Sequence, residues 1–175
     1  MGIGAPAVVS VLELLVVLGV RRFLSFGTAG GLQADHRPGD TVLTTEAVRD
    51  EGTSYHYLAA DVPTVTDPEL LGRMGAALSA ADVPYATGPT WTVDAPYRET
   101  RGEVARYRAE GVLTVEMEAA ALFAVATVRK VALASLLVVD GAFGDPIARP
   151  QFDRGAAYAR LFGLLPLTID VLHAV

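Results

Sequence analysis

The stretch VALASLLVV, residues 131–139, runs nine residues with one hydroxyl and no charge, then breaks at Asp140-Gly141. It is too short to cross a membrane and has no polar face. It therefore reads as a strand covered on both sides, the kind that lies inside an α/β sheet. Working outward toward the N-terminus, residues 117–128 form a helix of small apolar side chains, preceded by a short strand at 112–115. Residues 98–110 read as a charged, solvated helix and 85–93 as a strand. Asp67-Pro68-Glu69 supplies an N-cap, a proline at the first helical position and an acid in the first turn, for a helix to about residue 81. A Pro38-Gly39-Asp40 turn opens a strand at 41–48. A shorter strand at 22–26 ends at Gly27, and a helix from Pro6 to about residue 18 begins the chain. On the other side of the deciding stretch, Asp145-Pro146 reads as a turn, and 151–173 as a long terminal helix kinked near Pro166. Strands alternate with helices, so the fold class expected is α/β, a three-layer α/β/α arrangement around a central mixed sheet. The whole of 1–175 reads as one domain.

Composition narrows the function classes. The chain has 175 residues, 14 Lys+Arg against 20 Asp+Glu, a formal charge of -6 and no Cys. An acidic balance argues against a nucleic-acid binder, which normally shows a basic face. The lack of Cys excludes disulfides, thiolate metal sites and a cysteine nucleophile. With 51% hydrophobic and only 19% charged residues, the chain is not disordered. It is apolar enough to hide surface against copies of itself, so a homo-oligomer is expected. Residues 5–20 are apolar, but nothing basic precedes them and Glu13 interrupts them, so they read as a helix inside the protein rather than a signal or a span. Because this helix is apolar nearly all round, cover on most of its sides is expected.

In open α/β sheets, ligands bind at strand ends. Four groups stand there. Gly2-Ile3-Gly4-Ala5-Pro6-Ala7 fits a dinucleotide fingerprint but lacks the strand that should precede it. Gly27-Thr28-Ala29-Gly30-Gly31 offers backbone N–H groups and a hydroxyl to an anion, or else forms a tight turn. Glu116-Met117-Glu118 puts two carboxylates among apolar neighbours, suited to the paired hydroxyls of a ribose or to a helix N-terminus. Asp140 emerges from a dry strand, as a proton donor or as a turn residue before Gly141. Among the histidines, His56 lies between Tyr55 and Tyr57 and either lines a pocket or is structural, while His36 and His173 read as facing solvent. No spacing suggests a metal site.

Taken in order, GIGAP at 2–6, FGTAGGLQ at 26–33, PGD at 38–40, EGTSYHY at 51–57, VDAPY at 93–97, VEMEA at 115–119 and VVDG at 138–141 resemble the nucleoside phosphorylase family, of the uridine phosphorylase and hexameric purine phosphorylase type. The resemblance implies reversible phosphorolysis of a nucleoside to free base and ribose 1-phosphate, within nucleoside salvage. Inorganic phosphate would be the co-substrate, with no other cofactor, no nucleic acid and no membrane partner, in a cytoplasmic setting. It assigns Thr28, Gly27 and Gly4 to phosphate. Glu118, Met117 and Glu116 fall to the ribose, and Ala29, Gly30, Tyr97 and Arg101 to the base. Asp140 takes the place of the acid that protonates a purine, while EGTSYHY and VDAPY lean toward the uridine branch. The family pattern also implies an earlier strand and a Gly-Asp-Pro-x-Arg loop that would precede Gly2, so the domain is expected to be N-terminally truncated. Each missing charge-assisted phosphate contact costs ~1.5–3 kcal/mol, and about 1.4 kcal/mol is tenfold in rate. A catalytically impaired nucleoside- or base-binding remnant is therefore the alternative expectation.

Overall fold

The computed structural model describes residues 2–142 and 151–173; the expected turn at Asp145-Pro146 lies outside them. Helix α1 (Ala5–Val17) leads into strand β1 (Arg22–Gly31), followed by β2 (Thr41–Asp50), β3 (Thr64–Val65), α2 (Pro68–Ala80) and β4 (Ala86–Val93). Then come α3 (Arg101–Ala109), β5 (Thr114–Glu116), α4 (Ala119–Arg129), β6 (Ala132–Ala142), β7 (Gln151–Phe152) and α5 (Arg154–His173). Short 3₁₀ turns sit at Ser54–His56 and Pro96–Arg98. The strands join in the order β3-β2-β4-β5-β1-β6-β7, with parallel and antiparallel pairs mixed. One further pairing, Thr41–Thr44 of β2 antiparallel to Ser135–Val138 of β6, curls the sheet back on itself. Five strands thus close a ring.

The 131–139 run behaves as its composition demands. Leu133 through Val139 are all buried. Leu136 and Val138 pack with Leu43, Met74, Leu78 and Leu164, the cluster formed with α2 and α5. Leu137 and Val139 instead meet Ala29 and Val42. On the other side of the sheet, α4 is buried from Ala119 to Ala126 and packs against α1. Its small side chains let the two helices and the sheet approach closely. Glu13, the acid within the apolar α1, pairs with Arg129 of α4 through two contacts of 2.8 and 2.9 Å, which hold its carboxyl below the usual range.

Several boundaries differ from expectation for identifiable reasons. The charged helix starts at Arg101, because Thr100 and Glu103 form a reciprocal capping box; Arg98 belongs to the preceding 3₁₀ turn. Asp67 caps α2 as expected, accepting from the Leu70 amide at 2.9 Å. Helix α5 starts at Arg154, after the short strand β7. Helix α1 is less covered than its composition suggested. Ala5, Val8, Val9 and Leu12 are buried, but Leu14, Val17 and Leu18 are 59%, 81% and 71% exposed.

Candidate functional site

Strand β1 is longer than the sequence suggests. The glycine-rich stretch is not a loop following a strand; residues 27–31 continue β1 to its end. None of these glycines has a positive φ, so the tight-turn reading fails. Their lack of side chain matters for space instead. A Cβ on Gly31 would fall 2.8 Å from Cβ of His36 and 3.1 Å from Cγ1 of Val139, whereas one on Gly27 would meet nothing within 4 Å. His36 is therefore not the solvent-facing residue expected. It is half-buried with Nδ1 enclosed, and burial lowers its pKa.

The same strand gathers the other motifs along its two edges. On one edge Gly30 pairs with Val115 and Gly31 with Thr114, antiparallel, so the chain leaving β5 through residues 116–118 runs on past the 27–29 segment. On the other edge Thr28 pairs with Val138, Ala29 with Val139 and Gly30 with Gly141. The register skips Asp140, which is the extra residue of a β-bulge. Bulges re-aim side chains beside functional sites, and Asp140 is left half-buried at this one.

The helix N-termini complete the arrangement. Glu118 is partly exposed, and its Oε1 accepts a hydrogen bond of 2.6 Å from the Gly4 amide. That contact brings the GIGAP and VEMEA motifs together across 114 positions of sequence. Gly4 has φ 93 and ψ 154, a conformation that only glycine adopts without strain. Its amide is thus engaged by the Glu118 carboxylate. Met117 donates its amide to Oε2 of the same group at 3.3 Å.

Glu116 does something different from its neighbour. It is buried among hydrogen-bond donors: Thr92 Oγ1 at 2.6 Å, the Glu118 amide at 2.8 Å and the Ala119 amide at 2.7 Å. Burial pushes its carboxyl up to about 7 against the pull of these donors. The expectation that Glu116 shares the ribose with Glu118 is therefore corrected: its oxygens face inward. Thr92 was not foreseen. Its only sequence signal is the alternation of Thr90 and Thr92 in a strand that is otherwise apolar toward its end, and both are fully buried.

The remaining candidates stand farther out. A 2.8 Å bond from the Gly52 amide to Asp94 Oδ2 ties EGTSYHY to VDAPY. Glu51 is buried and accepts from the Ser54 amide, and Arg49 donates to the carbonyls of Leu58, Ala59 and Val62, so this loop is held by its own polar contacts. His56 is exposed on the turn. Tyr97 is 99% exposed, and Arg101 is exposed at the start of α3. Neither is brought by a described contact to Glu118 or to residues 27–30. Between them Glu99 is half-buried, and burial with the nearby Glu103 raises its carboxyl to about 7.

A family model described as the phosphorylase superfamily matches residues 1–160. The chain is 37% identical over 140 residues to a guanosine phosphorylase of Halorubrum lacusprofundi, and 33% identical over 151 residues to a uridine phosphorylase of Treponema pallidum. Each match takes in 80% of this chain and 58% of the relative, so the chain spans little more than half the length of these relatives. Among solved structures, the Plasmodium knowlesi homolog of P. falciparum PNP superposes with a TM-score of 0.82 at 24% identity, over 95% of this chain and 69% of the other. An AMP nucleosidase from Bacteroides thetaiotaomicron gives 0.79 at 25% identity, over 98% and 68%.

Proposed function

The chain belongs to the phosphorylase superfamily, and on that premise we propose that it carries a nucleoside phosphorylase site. The reaction is reversible phosphorolysis of uridine or a purine nucleoside to free base and ribose 1-phosphate. A phosphate oxygen bonds to the anomeric carbon as the bond to the base nitrogen breaks. The base leaves with that electron pair and takes a proton from Asp140, which the entering phosphate restores. Positive charge builds on the sugar in such a reaction, so a carboxylate held against its hydroxyls stabilises the transition state.

The observation that carries this reading is Glu118. It is a partly exposed carboxylate fixed at 2.6 Å by the Gly4 amide, where the chain leaving β5 passes the 27–29 segment of β1. In this role Glu118 takes the ribose hydroxyls, Met117 packs beneath the sugar, and Thr28 with the backbone of Gly27 meets phosphate. Ala29 and Gly30 lie near the base, while Tyr97 and Arg101 would have to swing in to reach it. The exposed Leu14 and Val17 on α1, with Leu18 at its C-cap, give a second copy an apolar face to cover.

The test is base release from uridine, inosine, guanosine and adenosine, each with and without phosphate. Release that requires phosphate is the expected result. Release without phosphate would make the protein a hydrolase. Thermal stabilisation by nucleoside with no turnover would make it a binding remnant. No release and no stabilisation by a folded sample would end the proposal.

A further inference from the structure

The residue at the N-cap of a helix normally turns its side chain back onto the second or third amide of that helix. Glu118 holds that position at the start of α4, with φ -136 and ψ -38, yet makes no such bond. The amides are satisfied from elsewhere. Glu116 Oε2 accepts from the amides of Glu118 and Ala119, and Thr92 Oγ1 accepts from the amide of Ala120 at 2.9 Å. Thr92 in turn donates to Glu116 Oε1 at 2.6 Å, the two residues being register partners on β4 and β5. Thr92 and Glu116 are 0% and 7% exposed, so water does not compete for these bonds.

We propose that Thr92 and Glu116 are positioning residues that cap α4 in place of Glu118, and so free the Glu118 carboxylate to serve the ribose. This rests on the function proposed above. Without the borrowed cap, the amides of α4 are orphaned in a dry place, where an unsatisfied donor is costly. As the N-cap residue, Glu118 is placed to supply that acceptor itself; its side chain would then leave Gly4 and fold back onto its own helix. Glu118 stands near the sugar hydroxyls in this reading, so the loss falls on ribonucleosides rather than on their 2′-deoxy counterparts.

The experiment compares wild type with Thr92→Val, which keeps the shape and removes the hydroxyl, and with Thr92→Ser, which restores it. Two quantities are read: the ratio of kcat/KM for a ribonucleoside over its 2′-deoxy form, and the amide proton resonance of Gly4. Thr92→Val is expected to lower the ratio about tenfold, the worth of one such contact, and to shift the Gly4 resonance upfield. Thr92→Ser is expected to leave both near wild type. An equal fall for both nucleosides, or an unchanged ratio, overturns the proposal. If the wild type releases no base, the functional reading fails on its own. The Gly4 resonance still decides the positioning role, because an unmoved signal in Thr92→Val means that Glu118 does not depend on Thr92.

Discussion

Replacing Glu116 by Gln should remove most of one slope from the pH dependence of stability. In the folded chain burial raises this carboxyl from its ordinary 4.5 to about 7. The native state therefore holds a proton that the unfolded state has released between those two values. Stability from this group is fully present below about 4.5 and is lost as pH rises through about 7. At 1.36 kcal/mol per pH unit the difference amounts to roughly 3 kcal/mol. Gln keeps the shape and its oxygen can accept the amides of Glu118 and Ala119; its –NH2 can only donate to Thr92 Oγ1, so the Thr92 hydroxyl must turn from donor to acceptor there, an offset that does not change with pH. Glu99 tends the same way, but it is half exposed and common to both proteins, so it cancels in the difference. The assay is urea unfolding of wild type and Glu116→Gln at intervals from pH 4.5 to 8.5. The wild type should lose about 2–3 kcal/mol relative to the variant over that range. A gap constant within about 0.5 kcal/mol would refute the reasoning, and would mean that the three donors around Glu116 hold it ionised despite its burial.

Two further outcomes follow from the backbone. Gly31→Ala drives a Cβ to 2.8 Å from His36 and 3.1 Å from Val139, and overpacking of this kind costs about 1–3 kcal/mol. The melting temperature should fall by roughly 2–4 °C per kcal/mol, and an unchanged value would show that His36 yields freely. Lys130 ends α4 in the left-handed region at φ 54 and ψ 48, which a side chain adopts at a cost of about 1 kcal/mol. Lys130→Gly should therefore raise the urea midpoint, and a lower midpoint would show that the Lys130 side chain contributes more than the strain removes.

What the sequence determined by itself was whatever short-range pattern fixes. The nine-residue apolar run at 131–139 could only be a covered strand, Asp67-Pro68-Glu69 could only open a helix, and the ordered motifs placed the chain in its family. Each of these depends on neighbours within a few positions. The tertiary structure decided the rest, because the deciding partners are distant in the chain. Nothing local tells residues 27–31 to remain in a strand; the ladders to Val115 and Gly141 on either side do that. The closure of the ring depends on β2 finding β6, about ninety residues away. The two glutamates of the Glu116-Met117-Glu118 motif look alike in sequence and part company only in space. Thr92 and the amides of α4 draw Glu116 inward, while Gly4 holds Glu118 at the surface. A carboxylate's role is set by which donors reach it, and those donors come from β4, the start of α4 and the N-cap of α1.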